Sequence, residues 1–477
     1  MIKMDTTRRV AKNTIALYSA DIITSILSII LSIAIARQLG DVVFGKYSFA
    51  VYFVTLCTQF ADLGYTTLSL REVARDKSLG TKYVSNNLSI RTILSLIIFV
   101  IIVIVINLLR YPADTTSSVY LFGVCYLVIS LSEIFNSIFH AYQKMEYNSI
   151  ISSFVFVLRA ILCLILLYLG YGLIEIALIF AYTAILMFLL EMIVCEKKLV
   201  KIKFELDFTF LKTTIKQALP FTLVSAFGFI YVRIDVVMLS LMRGDAVVGW
   251  YNAATTLTYG LRTIPHFFMA SLLPLLSYYF VAKPDALKSA FEKSFKYLFT
   301  LALPISIGTV LLADKIILLL YGEQFRNSIV ALQILGWDIF LIFLYSNLSF
   351  ILISINKQKR MAIIAGITAL LNIVLNLFLI PWLSYVGAAL STLIAEGFLF
   401  IAYFYVATRQ FHTLPLHKII FKPIFSGIIM GLFIYVFHEV NLFILIIAGC
   451  LLYFGVFYLL KGFSQEDINL VKKLIKR

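Results

Sequence analysis

The sequence GDVVFGKYSFA, from Gly40 to Ala50, recurs as GDAVVGWYNAA, from Gly244 to Ala254. Both segments carry a Gly-Asp pair, a Val, a Gly, a Tyr and a final Ala at the same spacing, and they align without a gap. Gly, Asp and Tyr are ordinary turn and contact residues when taken singly. Their fixed spacing in two parts of one chain favours an internal duplication. The repeat therefore predicts a chain built from two related halves.

Each copy of the repeat lies between two long apolar stretches. The 477 residues are 61% hydrophobic and 14% charged, and the mean hydropathy is +0.97, whereas soluble proteins are about half apolar and about a quarter charged. A helix needs about 20 apolar residues to cross a bilayer. We therefore predict an all-α integral membrane protein of about 14 transmembrane helices, called spans 1 to 14. The spans begin near Thr14, Val43, Ser85, Ser118, Tyr147, Gly172, Gln217, Val248, Ser294, Ser328, Arg360, Ser384, Lys418 and Asn441.

The chain has a net charge of +15, and its basic residues are concentrated in alternate connections. This is the positive-inside pattern, so we interpret the charge as a topology signal and not as a nucleic-acid-binding surface. It predicts a multi-pass protein of the cell (cytoplasmic) membrane with both termini in the cytoplasm. The basic segments are the N-terminus, Arg71 to Lys82, Lys144, Lys197 to Lys216, Lys283 to Lys296, Lys357 to Arg360, Arg409 to Lys422 and the segment from Lys461. The five cysteines show no paired or metal-ligand spacing, and we predict no metal site and no cofactor.

The most basic connection follows six spans and precedes eight. We predict an N-terminal lobe of six spans (residues 1–196), a basic cytoplasmic linker (197–216), a C-terminal lobe of six spans (217–408), and two final spans with a cytoplasmic tail (409–477). Because six is an even number, the two lobes share one orientation and are related by an axis along the membrane normal. Parallel repeats of this kind are typical of transporters.

Polar residues inside the apolar stretches indicate a cavity, because a charge at the bilayer centre costs at least about 2.5 to 3.5 kcal/mol. They fall on single faces of spans 1, 2, 7 and 8, and arginines lie near the middle of spans 5, 7 and 8. Arginine holds phosphate with two donors and stays charged when desolvated, which predicts an anionic passenger. The candidate cavity residues are Arg159, Arg233, Arg262, Tyr251, Thr255, Thr258, Ser25 and Ser28.

Acids in the spans are candidates for binding a coupling ion, H+ or Na+, and structural ion pairing is an equal alternative for each of them. These acids are Asp21, Asp62 and Asp235. The arginines also have a second interpretation, in which each pairs with a buried acid such as Glu133, Asp338 or Glu396. Stripes of Ser and Thr likewise occur at plain contacts between helices. The residues alone leave these alternatives open.

Four segments resemble the multidrug/oligosaccharidyl-lipid/polysaccharide exporter superfamily, particularly its polysaccharide-transporter branch, the Wzx-type flippases. They are ARQLGDVVFGKYSFA after span 1, FADLGYTTLSLREVAR leaving span 2, VRIDVVMLS in span 7 and LLYGEQFRNSIVALQIL between spans 9 and 10. The resemblance covers the whole chain. It implies a V-shaped pair of lobes whose central cavity, lined by spans 1, 2, 7 and 8, flips a polyprenyl-(pyro)phosphate-linked oligosaccharide by alternating access within membrane lipid.

The resemblance also implies roles for individual residues. Arg233 and Arg262 match the cationic cavity positions that hold the phosphate and sugars of the passenger. Span 1 departs from the strongly cationic pattern, because it offers Asp21 and serines. This departure favours a glycan other than that of lipid II.

Two other functions fit some of the same features. A drug/cation antiporter of the same superfamily would use the three acids, but the arginines oppose a cationic passenger. A membrane polysaccharide polymerase or ligase would act on the same lipid-linked sugars, but such enzymes generally carry a sizeable extracytoplasmic loop. The longest such connection predicted here, around Asp314 to Asn327, is short. The sequence has no Walker loop or nucleophile elbow, so we predict a transporter without catalytic residues and not an enzyme. Its energy would come from a gradient or from the substrate's own distribution.

Overall fold

The computed structural model describes residues 2–62, 64–203 and 205–463, with side chains from residue 24 onward except at 215–217, 219–227, 229 and 230. These residues form fifteen α-helices, two short 3-10 turns and no strand. The helices are α1 Ile2–Asp62, α2 Tyr65–Arg75, α3 Gly80–Leu108, α4 Ala113–Ala141, α5 Met145–Tyr168, α6 Leu173–Lys198, α7 Phe208–Arg243, α8 Asp245–Ala282, α9 Pro284–Leu311, α10 Ala313–Leu320, α11 Ser328–Ser354, α12 Gln358–Leu383, α13 Tyr385–Gln410, α14 Leu416–Val436 and α15 Leu442–Leu459.

Every predicted span coincides with a helix, and the all-α membrane fold is confirmed. Twelve helical segments of the described residues are long and apolar enough to cross a membrane. The first of them, Thr24–Asp62, contains parts of spans 1 and 2, because Gly40 interrupts α1 with a φ of 81°. Span 7 coincides with the 36-residue helix α7, which is not among those twelve segments. The short helices α2 and α10 lie between spans.

The surface of the helices is largely apolar, as a lipid environment requires. Leu96, Leu108, Phe378 and Leu451 are each more than 60% exposed. Exposed apolar side chains on this scale are unfavourable in water. They therefore mark the surface that the surrounding lipid covers.

The contacts divide the chain into two compact units, Met1–Asn252 and Ala253–Arg477. In the first unit, α4 packs on α6, and α1 packs on α4, α5 and α7. In the second unit, α11 packs between α9 and α13, and α14 packs on α9 and α15. Helix α7 therefore belongs by its contacts to the first unit. The two six-span lobes, which follow from the sequence repeat, stay a prediction.

The basic connection between α6 and α7 returns along the beginning of α3. The backbone N–H of Lys203 donates to Ser85 Oγ at 3.0 Å, and that of Asp207 donates to Asn86 Oδ1 at 2.7 Å. Asp207 also caps α7 by accepting from the N–H of Phe210. This backbone donor, with an ion pair to Lys82 at 3.1 Å, lowers the pKa of the Asp207 carboxyl. The contacts explain why polar residues occupy the buried first turns of α3.

Candidate functional site

The two copies of the repeated segment lie against each other inside the first unit. A Cβ added to Gly45 would lie 1.7 Å from the carbonyl oxygen of Asp245, and one added to Gly249 would lie 2.1 Å from that of Asp41. Each glycine thus packs on the aspartate backbone of the other copy, at a distance that only a residue without a side chain permits. We call this contact, between residues 41–52 and 245–252, the repeat junction.

Three side-chain hydrogen bonds cross the repeat junction. The indole Nε1 of Trp250 donates to Asp41 Oδ2 at 2.8 Å. The amide of Asn252 donates to Ser48 Oγ at 2.7 Å, and its oxygen accepts from the Tyr52 hydroxyl at 3.0 Å. Ser48 and Asn252 are both buried, so these bonds form away from water, where broken partners are costly. The repeat therefore supplies both surfaces of one tight, polar contact.

Arg233 and Asp235, two residues apart on α7, have different environments. The guanidinium carbon of Arg233 lies 4.3 Å from the ring centroid of Tyr52, a cation–π distance. Asp235 is buried and accepts a hydrogen bond from the hydroxyl of Tyr251, which is itself 1% exposed. Tyr251, a candidate cavity residue, thus lies in the packed interior. Arg233 is half-buried and is tied through Tyr52 to the repeat junction.

A polar cavity of about 400 Å³ lies in the first unit near the end of α1. Asp62 pairs there with Arg91 at 2.9 Å, and Arg91 Nε donates to Ser130 Oγ at 3.2 Å. Glu133 also lines the cavity, so two acids surround one arginine. Such a net negative site suits a cation better than an anion. Four residues of the polar face of span 2 line it: Thr55, Thr58, Gln59 and Asp62.

Arg91 is the functional candidate that the sequence reasoning missed. Its side chain is 5% exposed, and it lies in α3, which follows the helix that carries Asp62 and precedes the helix that carries Glu133. A signal was available, because Asn86, Asn87 and Ser89 precede it in an otherwise apolar span. This run of polar residues is typical of a helix that faces a polar interior.

Arg159 is buried between aromatic rings. Its guanidinium carbon lies 4.7 Å from the ring of Phe180 and 5.1 Å from that of Phe156, and its Nε donates to Thr183 Oγ1 at 2.8 Å. Within the described part of the chain no carboxylate lies at ion-pair distance from it. Glu133, the acid considered as its partner, instead accepts from Asn136 and lines the cavity beside Arg91.

Arg262 is held between two buried acids of the second unit. Its Nη2 lies 3.2 Å from Asp338 Oδ2 and 3.1 Å from Glu396 Oε1, and the two acids are 1% and 0% exposed. Its guanidinium also lies over the ring of Tyr259, 4.6 Å from the centroid. Arg262 is therefore paired with buried acids, as the second interpretation of the arginines predicts. Its Nε has no hydrogen-bond partner among the described groups.

A second polar cavity, of about 320 Å³, opens beside Arg262. Hydroxyl and imidazole groups line it together with aromatic rings. The hydroxyl and imidazole groups can donate and accept hydrogen bonds. The polar and aromatic residues that line it are Thr263, His266, Tyr345, Ser346, Ser349 and Phe350.

The remaining candidates have less distinctive surroundings. Thr255 and Thr258 are buried, and Thr258 Oγ1 donates to the carbonyl of Thr255 at 3.0 Å. Ser25 is half-buried, whereas Ser28 is exposed and donates to the Thr24 carbonyl. The side chain of Asp21 lies outside the described residues.

Solved structures of membrane transporters share this fold. The chain is similar to a solved structure described as the lipid II flippase MurJ in an inward closed conformation, with 18% identity, a TM-score of 0.77, and coverage of 96% of this chain and 99% of that one. An inward-facing MATE-family multidrug resistance transporter of the MOP superfamily gives 15% identity, a TM-score of 0.66, and coverage of 81% and 95%. The MATE multidrug transporter DinF-BH gives 15% identity, a TM-score of 0.63, and coverage of 84% and 95%.

Two protein families match parts of the sequence. A search of curated proteins gives no match. Residues 220–378 match the MatE family. Residues 10–280, more than half of the chain, match the family described as polysaccharide biosynthesis protein. The chain therefore belongs to the polysaccharide biosynthesis protein family, within the multidrug/oligosaccharidyl-lipid/polysaccharide exporter superfamily of multi-pass membrane transporters.

Proposed function

We propose that this protein flips a polyprenyl-(pyro)phosphate-linked oligosaccharide across the cytoplasmic membrane by alternating access, with both termini in the cytoplasm. The observation that carries the proposal is the polar cavity beside Arg262. Its hydroxyls, imidazole and rings (Thr263, His266, Tyr345, Ser346, Ser349 and Phe350) match the hydroxyls and C–H faces of a sugar. A polar cavity within apolar helices is costly to maintain without a polar passenger.

The phosphate of the passenger is assigned to Arg233. Arg262 already pairs through Nη2 with two acids, Asp338 and Glu396, and its Nε has no hydrogen-bond partner among the described groups. Arg233 is half-buried, and its guanidinium lies against the ring of Tyr52, on the polar face of span 7 that the sequence predicts to line the cavity. A guanidinium can bind a phosphodiester or pyrophosphate through two oxygens.

Flipping of a lipid-linked oligosaccharide in proteoliposomes tests the role of Arg233. Arg233→Ala is expected to reduce the rate at least tenfold, because a hydrogen bond to a charged group contributes about 1.5 to 3 kcal/mol. Arg233→Lys keeps the charge but loses the planar fork and should be intermediate. The matched control is Arg243→Ala, at the exposed end of the same helix. Wild-type flipping by Arg233→Ala would rule out the phosphate role.

We further propose that the cavity at Asp62 binds the coupling cation, H+ or Na+. Two acids and one arginine leave a net negative charge there (Asp62, Glu133 and Arg91). Asp62→Asn is expected to abolish the dependence of flipping on an imposed ion gradient. Downhill exchange should continue, since the amide can still hydrogen-bond to Thr66. Asp285→Asn, at a 96% exposed carboxylate, is the control. Unchanged gradient dependence in Asp62→Asn would refute this assignment.

A drug/cation antiporter is the second candidate function. The match of residues 220–378 to the MatE family and the acid-rich cavity favour it. Uptake of a cationic dye into the same proteoliposomes distinguishes the two functions. Dye transport without any flipping of lipid-linked oligosaccharide would overturn the proposal in favour of the antiporter.

A further inference from the structure

A buried acid on α6, Glu191, has no counterion in the described part of the chain. Its side chain is 0% exposed, and neither oxygen of its carboxyl has a hydrogen-bond partner among the described groups. Neither the proposed passenger site nor the proposed coupling site uses it. A fully buried polar group without such partners is rare in native proteins, and it calls for an explanation.

The side chains around Glu191 are mostly apolar. Phe188, one turn before it on α6, packs on Phe135 of α4 with ring centroids 5.6 Å apart. Cys195, one turn after it, is fully buried. The hydroxyl of Ser132 on α4 approaches the carboxyl, but the two groups do not reach hydrogen-bond geometry. Burying an isolated carboxylate in such surroundings costs far more than burying the neutral acid. The surroundings therefore favour a carboxyl that carries a proton.

The titratable groups that face Glu191 do not supply a cation. Glu133 of α4 faces it with a like charge, and the thiol of Cys195 faces it from its own helix. Arg159 of α5 contacts α6 at Thr183, which lies eight residues before Glu191, or about 12 Å along the helix axis. The charge of Glu191 is therefore opposed by its neighbours.

The acids at the ends of α1 and α5 have their own cations. Asp62 pairs with Arg91 at 2.9 Å, and Glu146 pairs with Lys144 at 3.4 Å. Glu133 and Glu191 are thus the two acids of this region without an ion pair among the described residues. When two carboxyls lie close together away from water, one of them tends to keep its proton.

Glu191 is also well placed to pass a proton. Glu133, which it faces, lines the cavity at Asp62. In the other direction, Lys197 at the predicted cytoplasmic end of α6 lies six residues further on, about 9 Å along the helix axis. Acids arranged in this way within a membrane are typical of proton relays.

The exchange itself is balanced without another reactant. The proton leaves the carboxyl of one glutamate and binds the carboxylate of the other, so the pair keeps one proton and one negative charge. A sodium ion needs several oxygen ligands, as other hard cations do. The aromatic and thiol neighbours of Glu191 do not provide such a shell.

We propose that Glu191 binds a proton and exchanges it with Glu133, so that the ion bound at the cavity beside Asp62 is H+ and not Na+. This assignment of the ion rests on the proposed coupling role of that cavity. The proton on Glu191 depends neither on the coupling role nor on the passenger.

Infrared spectroscopy of the purified full-length protein in lipid tests the proton on Glu191. A protonated carboxyl has a C=O stretching band that a carboxylate lacks. At neutral pH, we expect such a band in the wild type and its loss in Glu191→Gln, whose amide is neutral and of nearly the same shape. The matched control, Glu196→Gln, replaces an exposed acid of the same helix and should keep the band. Identical bands in Glu191→Gln and the wild type would overturn the proposal.

Flipping driven by an imposed gradient tests the exchange. A proton gradient should accelerate flipping by the wild type, and Glu191→Gln should lose this response while it keeps downhill exchange. Glu191→Asp still titrates and should keep part of the response. A sodium gradient at constant pH should have no effect. A full response of Glu191→Gln to the proton gradient, or a wild type that responds to sodium alone, would overturn the exchange.

The infrared result separates this proposal from that of the passenger. If the protein transports a cationic dye and no oligosaccharide, the proposed passenger is wrong, but the band of Glu191 should still be present. The same gradients are then applied to dye transport, with the same expected loss in Glu191→Gln.

Discussion

Gly45→Ala is expected to abolish transport, because the added methyl group would lie 1.7 Å from the carbonyl oxygen of Asp245. A Cβ cannot approach backbone that closely, so the two copies of the repeat must separate. Gly249→Ala, whose methyl would lie 2.1 Å from the carbonyl of Asp41, should have the same effect. Overpacking of this kind typically costs about 1 to 3 kcal/mol. The variant could then no longer adopt the state in which residues 41–52 and 245–252 are in contact. Alternating access needs every state of its cycle to be accessible.

The measurement is flipping in proteoliposomes at equal amounts of inserted, monodisperse protein. Gly366→Ala is the matched control, because a Cβ at Gly366 on α12 meets nothing within 4 Å and alanine favours the helix. We expect a loss of at least tenfold in each junction variant and wild-type flipping in the control. If Gly45→Ala flips as fast as Gly366→Ala does, the closed junction is not a working state of the protein.

Arg262→Met is expected to destabilise the second unit strongly. The substitution leaves Asp338 and Glu396 buried without their cation, and breaking a buried ion pair from one side costs about 3 to 5 kcal/mol. Thermal stability in detergent should fall clearly below that of the wild type. The triple variant Arg262→Met/Asp338→Asn/Glu396→Gln removes all three charges and should recover most of the loss.

Comparison of the single and triple variants separates stability from function. We expect the triple variant to be stable and impaired in flipping, because it lacks the Nε donor beside the cavity of the second unit. A single variant as stable as the wild type would contradict the ion-pair role. A triple variant that flips at the wild-type rate would contradict any contact between Arg262 and the passenger.

The sequence predicts the helices well, because membrane insertion depends on local composition. Each apolar stretch carries its own signal, so all the spans coincide with helices. Charge partners are different, since they depend on which helices pack side by side. From the sequence, Glu133, Asp338 and Glu396 are all possible partners of the arginines. Helix packing brings Asp338 and Glu396 to Arg262. The same packing leaves Arg159 between aromatic rings.

The contact between the two copies of the repeat could not be predicted from the sequence either. Its glycines predict turns or close contacts, and the predicted duplication rests on the spacing of the matched residues alone. That the copies contact each other depends on the packing of α7 and the start of α8 against α1. Arg91 was missed for a related reason, because its importance comes from Asp62 and Glu133, which belong to other helices.

The repeat junction has the form of an isologous interface, in which one surface meets an equivalent surface. Ser48 and Asn252 occupy equivalent positions of the two copies and bond to each other, as residues on a two-fold axis do. The two sides differ elsewhere, since Lys46 stands where the other copy has Trp250. The repeat junction is thus an internal contact of one chain with the local symmetry of a homodimer interface.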